Sequence, residues 1–162
     1  MKQKHESPMK PKAHADADIL NDVISVCRDG EALYSYVAKQ VQDQQSRNMF
    51  SDMARIRLKI VKELEAEVTV RGEKPTRSGS LIGGIRRWYI DARHSFSDYQ
   101  DEEFIAQLEE TEARSLAVLR TAVAKAQDPA LVLRLSSLVA SFQMAYDRMS
   151  LLKKSFKKSA GH

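Results

Sequence analysis

The sequence is poor in the residues that cross-link a chain or interrupt its secondary structure. Its 162 residues include one cysteine, four prolines and six glycines. A single cysteine excludes an intramolecular disulfide and favours a reducing compartment. So few prolines and glycines provide little of the turn chemistry that a β-rich fold needs. The length is sufficient for one domain that buries a sizeable core without cross-links.

Long apolar runs are also missing. The N-terminal stretch MKQKHESPMKPKAHADAD lacks the apolar segment of a secretory signal or a membrane anchor. No later segment approaches the ~20 uninterrupted apolar residues that a membrane-spanning helix requires. We therefore expect a cytoplasmic protein.

The net charge of +4 is concentrated at the two ends of the chain. Residues 1–17 hold four lysines against two acids, and residues 153–162 hold four lysines and no acid. The body between them is close to neutral, so it lacks the basic surface expected of a protein that reads nucleic acid. We expect no specific nucleic acid partner. One alternative stays open, the contact of an anionic surface with Lys153, Lys154, Lys157 and Lys158.

Apolar side chains recur every three or four residues along most of the chain, which is the spacing of helices that turn one face to a core. The first helix is predicted from Asp18 to Gln42, with Asp16 or Asp18 as its N-cap. The second follows after a few residues and ends near Gly72. Its predicted core positions are Met49, Met53, Ile56, Ile60, Leu64 and Glu67.

The second half of the chain contains two further helices. The third is predicted to follow the turn SDYQDEE, whose acids suit a helix N-terminus. The fourth is predicted to begin at Pro129, because Asp128 is a suitable N-cap and proline is favoured in the first helical position. A linker, GEKPTRSGS, and a short helix within LIGGIRRWYIDARHSF precede the third helix. The predicted core positions of the fourth helix are Leu131, Leu135, Leu138, Phe142, Tyr146, Met149 and Leu152.

The connections between these helices predict the topology. Only a few residues join the first helix to the second and the third to the fourth, so each pair should form an antiparallel hairpin. The longer segment between the pairs can cross the length of a bundle. Two hairpins joined by one long crossover describe the all-α, ferritin-like four-helix bundle. We expect a polar N-terminal segment at 1–17, the bundle at 18–152 and a lysine-rich tail at 153–162.

A carboxylate interrupts the apolar face of the first helix. Counting in helical steps from Cys27 reaches Glu31, and the same counting on the third helix places two acids among apolar positions. Ferritin-like bundles can build a di-metal site from inward glutamates and two Glu-x-x-His motifs, and such ligands suit iron or manganese. The candidate metal ligands are Glu31, Glu109 and Glu112.

The other ligands of a di-metal site are missing. The second helix has IRLK at residues 56–59 and the fourth has QMAY at 143–146 where Glu-x-x-His would be needed. None of the four histidines lies on the predicted core-facing stripe of a bundle helix. A positive side chain at this depth could neutralise a buried acid as a metal would. We expect the inward acids to be held by Lys59, Arg55 or Tyr146 instead of by metal.

Simpler interpretations of the same residues stay open. Rotating the first helix by one position would turn Gly30 inward, for close packing, and leave Glu31 solvated or ion-paired. The stretch EETEAR also fits a solvated helix face, with Glu110 and Arg114 as an i,i+4 pair. Cys27 is interpreted as a small core residue.

Three stretches carry a family resemblance: LNDVISVCRDGEALY, GEKPTRSGSLIGGIRRWYIDAR and AYDRMSLL. With them, residues 20–152 resemble an uncharacterised bacterial family of ferritin-like four-helix bundles, known as a domain of unknown function. The resemblance implies the fold but no established activity. Typical members look as if they carry an acid at the position of Ile56 and a histidine at that of Tyr146. The metal-site remnants that the resemblance implies are Glu31, Glu109 and Glu112.

We interpret the chain as a non-catalytic bundle protein with an incomplete di-metal site and no cofactor. It would act through binding or self-assembly, as a homo-oligomer. The main alternative is a metalloprotein, an oxidase or an iron-handling protein, that binds iron or manganese through its inward glutamates. A third alternative is a peripheral binder of membranes or nucleic acid that works through the lysine-rich ends.

Overall fold

A computed structural model describes residues 12–79 and 100–161 of the chain. In these two ranges the chain is all-α and has no strand, so the predicted all-α class and the four long helices are confirmed. The short helix predicted within LIGGIRRWYIDARHSF lies outside the described residues. The helices are α1 (Lys12–Gln40), α2 (Gln44–Val70), α3 (Gln100–Lys125) and α4 (Pro129–Ala160).

Local side-chain chemistry sets the beginnings of three helices. Asp43 caps α2, because its carboxylate accepts a hydrogen bond from the backbone N–H of Ser46 at 2.8 Å. Asp128 caps α4 in the same way through Ala130, at 3.0 Å, and Pro129 is the first helical residue, as predicted. Three acids occupy the first turn of α3, where the helix dipole favours negative charge.

Helix α1 includes residues that precede its predicted start. It already contains Lys12, so the prediction that Asp16 or Asp18 is its N-cap is wrong. His14 belongs to the first turn of α1 but does not face the core. That histidine is exposed and pairs with Glu73, beyond the end of α2.

Asp16 has a tertiary role instead of a capping role in α1. Its side chain is buried, and its two carboxylate oxygens accept hydrogen bonds from the backbone N–H groups of Gln127 and Asp128, at 2.9 and 3.1 Å. These two residues belong to the connection between α3 and α4. Asp16 therefore fastens α1 to the start of α4, a contact that no local sequence pattern indicates.

The contacts among the helices define their directions. Helix α1 packs along α2, and α3 along α4, and the connections within these pairs are only residues 41–43 and 126–128. Such short connections make each pair an antiparallel hairpin. Helix α1 also packs along α3, with Asp16 near the far end of α3 and Tyr34 beside Glu112 in its middle. Helices α1 and α3 are thus antiparallel, and α2 and α3 run in the same direction.

Two clusters of buried apolar side chains fill the space between the helices, and all four helices contribute to each of them. Full burial of an aliphatic or aromatic side chain contributes ~1.5–3 kcal/mol, so these clusters provide most of the driving force for folding. Arg57 on α2 and Glu112 on α3 each lie between the residues that their helix contributes to the two clusters, and together they form a polar layer. The first cluster is centred on Leu20, Ile24, Leu64, Leu119, Leu135 and Phe142, and the second on Tyr34, Phe50, Leu108 and Met149.

The buried face of α2 differs from the predicted face at its centre. Met53 and Ile60 are buried as predicted, but Ile56 is half-exposed and Arg57 is buried in its place. Helical steps of three and four residues allow both positions between Met53 and Ile60. Hydrophobicity favours Ile56, whereas the structure uses Arg57, because its charge meets the carboxylate of Glu112 in the core.

Helix α4 continues beyond Leu152 to Ala160. The side chain of Phe156 packs against the second apolar cluster, which explains why the helix extends there. The lysine-rich end of the chain is therefore helical, and Lys153 pairs with Glu109 of α3. No helix in the described part of the chain is long and apolar enough to cross a membrane.

Candidate functional site

A buried ion pair occupies the layer between the two apolar clusters. It joins Arg57 of α2 to Glu112 of α3, whose side chains are only 4% and 1% exposed. The Arg57 Nη2 group donates to both carboxylate oxygens of Glu112, at 2.7 Å each. Charge-assisted hydrogen bonds of this length offset part of the free-energy cost of removing two charges from water.

Two aromatic side chains complete the surroundings of this pair. The hydroxyl of Tyr34, on α1, donates a hydrogen bond to Oε1 of Glu112 at 2.6 Å. The ring of Phe142, on α4, packs against the guanidinium group, with 3.4 Å between the Arg57 Cζ atom and the ring centroid. That distance is well within the range of a cation–π interaction. Each of the four helices therefore supplies one side chain to the site.

Burial keeps two neutral groups beside the pair protonated. Burial, and then the charge of Glu112, raise the pKa of Tyr34 well above its ordinary value of 10.0, so its hydroxyl remains a hydrogen-bond donor. Burial also raises the pKa of the Cys27 thiol from 9.0 to about 12, although Arg57 acts in the opposite direction. The thiolate is the nucleophilic and metal-binding form of cysteine, and Cys27 does not provide it near neutral pH.

Gly30 lies directly against the arginine. It is buried, and a Cβ atom at this position would lie 3.5 Å from Arg57 Nε and 3.6 Å from Arg57 Cδ. The interpretation that turns Gly30 inward therefore agrees with the structure. The arginine side chain passes close to α1 at this glycine, and a methyl group there would meet it at ordinary contact distances.

The three predicted metal ligands occupy different environments. Only Glu112 lies in the core. Glu31 is partly exposed and accepts a hydrogen bond from Ser35 Oγ at 3.1 Å. Glu109 pairs with Lys153 Nζ at 3.2 Å. In the part of the chain that the structure describes, no three histidine, cysteine, aspartate or glutamate side chains form a group that could hold a metal ion.

The prediction that Lys59 or Arg55 neutralises an inward acid is wrong, although a neutralising cation is present. Both side chains are exposed, and Arg55 pairs with Asp52 of its own helix. Tyr146 packs against the first apolar cluster. The role assigned to these residues belongs to Arg57, and the signal that could have found it is the need of a buried acid for a buried partner.

The chemistry of the layer does not fit a di-metal centre. A guanidinium group stays charged and has no lone pair to offer a metal. Arg57 occupies the side of Glu112 from which a cation would bind, and a protonated tyrosine donates to the same carboxylate. Hard divalent cations require several oxygen or nitrogen ligands. The layer thus already contains the cation that its carboxylate needs.

Comparison with known proteins identifies a family. Residues 16–126 match the family described as a domain of unknown function, DUF2383. No curated protein and no solved structure matches the chain significantly. The matched range contains Tyr34, Arg57 and Glu112 and ends before α4. Because the match covers more than half of the chain, this protein belongs to the DUF2383 family.

Proposed function

We propose that this protein is a non-catalytic, ferritin-like bundle that acts through binding or self-assembly, and that an arginine replaces the metal in its incomplete di-metal site. The observation that carries the proposal is the buried pair, in which Arg57 donates to both carboxylate oxygens of Glu112. A cation that is part of the chain satisfies this acid. It thereby removes the main reason for the core to bind a metal ion.

The helix directions support the ferritin-like part of the proposal. Helices α2 and α3 run in the same direction, and residues 71–99 connect them. Two hairpins joined by one long crossover have this connectivity. The polar layer also corresponds to the mid-helix level at which such bundles build their metal sites.

The enclosure of the polar layer supports a role without catalysis. A catalytic acid, base or nucleophile must reach its substrate and needs a pKa near the working pH. The side chains of Tyr34 and Cys27 are fully buried, and the pKa of each is raised. The arrangement favours a structural role for these groups and leaves the surface of the bundle for interactions.

Metal content tests this proposal directly. The full-length protein is purified without chelator, incubated anaerobically with iron(II) or manganese(II), desalted and measured by elemental analysis. We expect far less than one metal ion per chain. The same measurement is made on Glu31→Ala and Glu112→Gln, with Glu110→Gln as a control, because Glu110 is an exposed glutamate of the same helix as Glu112.

One result would overturn the proposal. Near-stoichiometric metal in the wild type that is lost in Glu31→Ala or Glu112→Gln, but not in Glu110→Gln, would identify a true metal site. It would favour the alternative of an oxidase or iron-handling protein, and assays of iron(II) oxidation would follow.

A further inference from the structure

The exposed residues of α4 are uncharged over the first half of the helix, where the one charged side chain, Arg134, is partly exposed and pairs with Glu63 and Glu67 of α2. The chain as a whole is 30% charged, and the exposed residues of α1, α2 and α3 include charged side chains. A long uncharged surface that carries large apolar side chains is typical of a protein–protein contact. The exposed residues of α4 up to Tyr146 are Pro129, Ala130, Leu133, Ser136, Ser137, Ala140, Ser141 and Met144.

Large apolar side chains form a stripe along the centre of this face. Leu133, Met144 and Leu151 are 74%, 73% and 66% exposed. The intervals between them correspond closely to whole turns of an α-helix, so the three side chains line up, with Ala140 on the same line. At 1.5 Å per residue the stripe is about 27 Å long. We call Leu133, Ala140, Met144 and Leu151 the α4 stripe.

The α4 stripe has the same spacing in both directions along the helix. Its four positions are symmetric about Phe142. Two copies of α4 can pack antiparallel about a two-fold axis that crosses the helix at the level of Phe142. Leu133 of one copy then faces Leu151 of the other, and Ala140 faces Met144. Small residues opposite large ones allow helices to interdigitate. A two-fold interface requires this kind of self-complementarity.

The polar residues beside the stripe suit the same antiparallel arrangement. In the antiparallel contact the same flanks of the two stripes face each other, so Asp147 of one copy lies near Ser136 of the other, and Arg148 lies near Ser137. Each charged group thus meets a hydroxyl.

We propose that the protein forms a homodimer through the α4 stripe, with the two α4 helices antiparallel about a two-fold axis at the level of Phe142 along the helix. A groove of about 200 Å³ between α2 and α4 adjoins the stripe, and its lining includes Ile56, Met144 and Arg57. The second copy would extend over this groove, bury the exposed Ile56 and close the approach to the buried arginine.

This inference rests on the self-assembly in the proposed function and specifies its surface. Sedimentation equilibrium of the full-length protein tests it over a hundredfold range of concentration. We expect a wild-type dimer, and dimerisation weakened about tenfold or more in Met144→Glu, because a charge enters the centre of the contact. Val70→Glu is the matched control, since Val70 is an apolar residue of α2 that is even more exposed than Met144, at 87%, and does not belong to the stripe; it should leave the affinity unchanged.

Cysteine cross-linking tests the orientation of the two helices. Under oxidation, or with a short bis-maleimide, the double variant Leu133→Cys/Leu151→Cys should form a covalent dimer, whereas neither single variant should. The two cysteines cannot react within one chain, because the stripe separates them by about 27 Å. The natural Cys27 is fully buried and does not interfere.

Three outcomes would overturn the homodimer proposal: a monomeric wild type at every concentration, equal effects of Met144→Glu and Val70→Glu, or efficient cross-linking of Leu133→Cys alone. None of them would alter the metal measurement. The surface and the core of the protein are therefore tested separately.

Discussion

Replacing Arg57 by methionine would leave the carboxylate of Glu112 buried without its cation. Methionine retains the apolar length of the arginine side chain, so contact with Phe142 and the neighbouring helices is largely preserved. The hydrogen bond from Tyr34 to Glu112 also remains. The substitution therefore removes the guanidinium charge and its two hydrogen bonds with little change in packing.

The structure sets the expected magnitude of this effect. Both members of the pair are nearly inaccessible to water, so the remaining carboxylate would not be solvated. Removing one partner of a buried ion pair lowers the free energy of unfolding by about 3–5 kcal/mol. Small domains are stable by only about 5–15 kcal/mol. The double variant Arg57→Met/Glu112→Gln should regain about half of the loss or more, because its amide is neutral and still accepts from Tyr34.

Urea unfolding followed by circular dichroism measures the free energy of unfolding of each variant. Lys59→Met is the matched control, because it introduces the same residue two positions further along α2 on an exposed side chain. It should change stability by no more than about 0.5 kcal/mol. A loss below about 1 kcal/mol in Arg57→Met, or equal losses in the two variants, would refute the argument that Arg57 compensates a buried charge.

Three further predictions concern the same core. Gly30→Ala should raise the free energy of unfolding by up to about 1 kcal/mol, because alanine favours a helix more than glycine does. Its methyl group would lie 3.5 Å from Arg57 Nε, which is an ordinary contact distance. A destabilised variant in urea unfolding would contradict this. Asp16→Ala should lower the free energy of unfolding by about 1–3 kcal/mol, since the backbone N–H groups of Gln127 and Asp128 lose their acceptor. An unchanged midpoint of urea unfolding would contradict this. Between pH 9 and 12 the free energy of unfolding should fall more steeply in the wild type than in Cys27→Ala, because the thiol has a pKa near 9.0 in the unfolded chain and about 12 in the folded protein. At pH 10 this additional loss should be about 1.4 kcal/mol. Parallel pH curves for the two proteins would exclude this contribution.

Local patterns were sufficient to predict the helices, because each helix turns a largely apolar face to the core and Asp128 caps its own helix. They were not sufficient to predict the site. Ile56 and Arg57 are adjacent, and the choice between them as the inward residue depends on Glu112, which is 55 residues away. The role of Asp16 likewise depends on backbone groups more than 100 residues away. The apolar faces could be read one helix at a time, whereas each polar contact required knowledge of two elements at once.

The built-in guanidinium group has a consequence for how this fold depends on its surroundings. A bundle that takes its central cation from solution is coupled by mass action to the free concentration of that ion, so chelation or scarcity weakens it. In this chain the carboxylate of Glu112 is compensated at any ion concentration, because its partner is synthesised with it. As far as this layer is concerned, a newly made chain can fold at once, whatever the supply of iron or manganese in the cell.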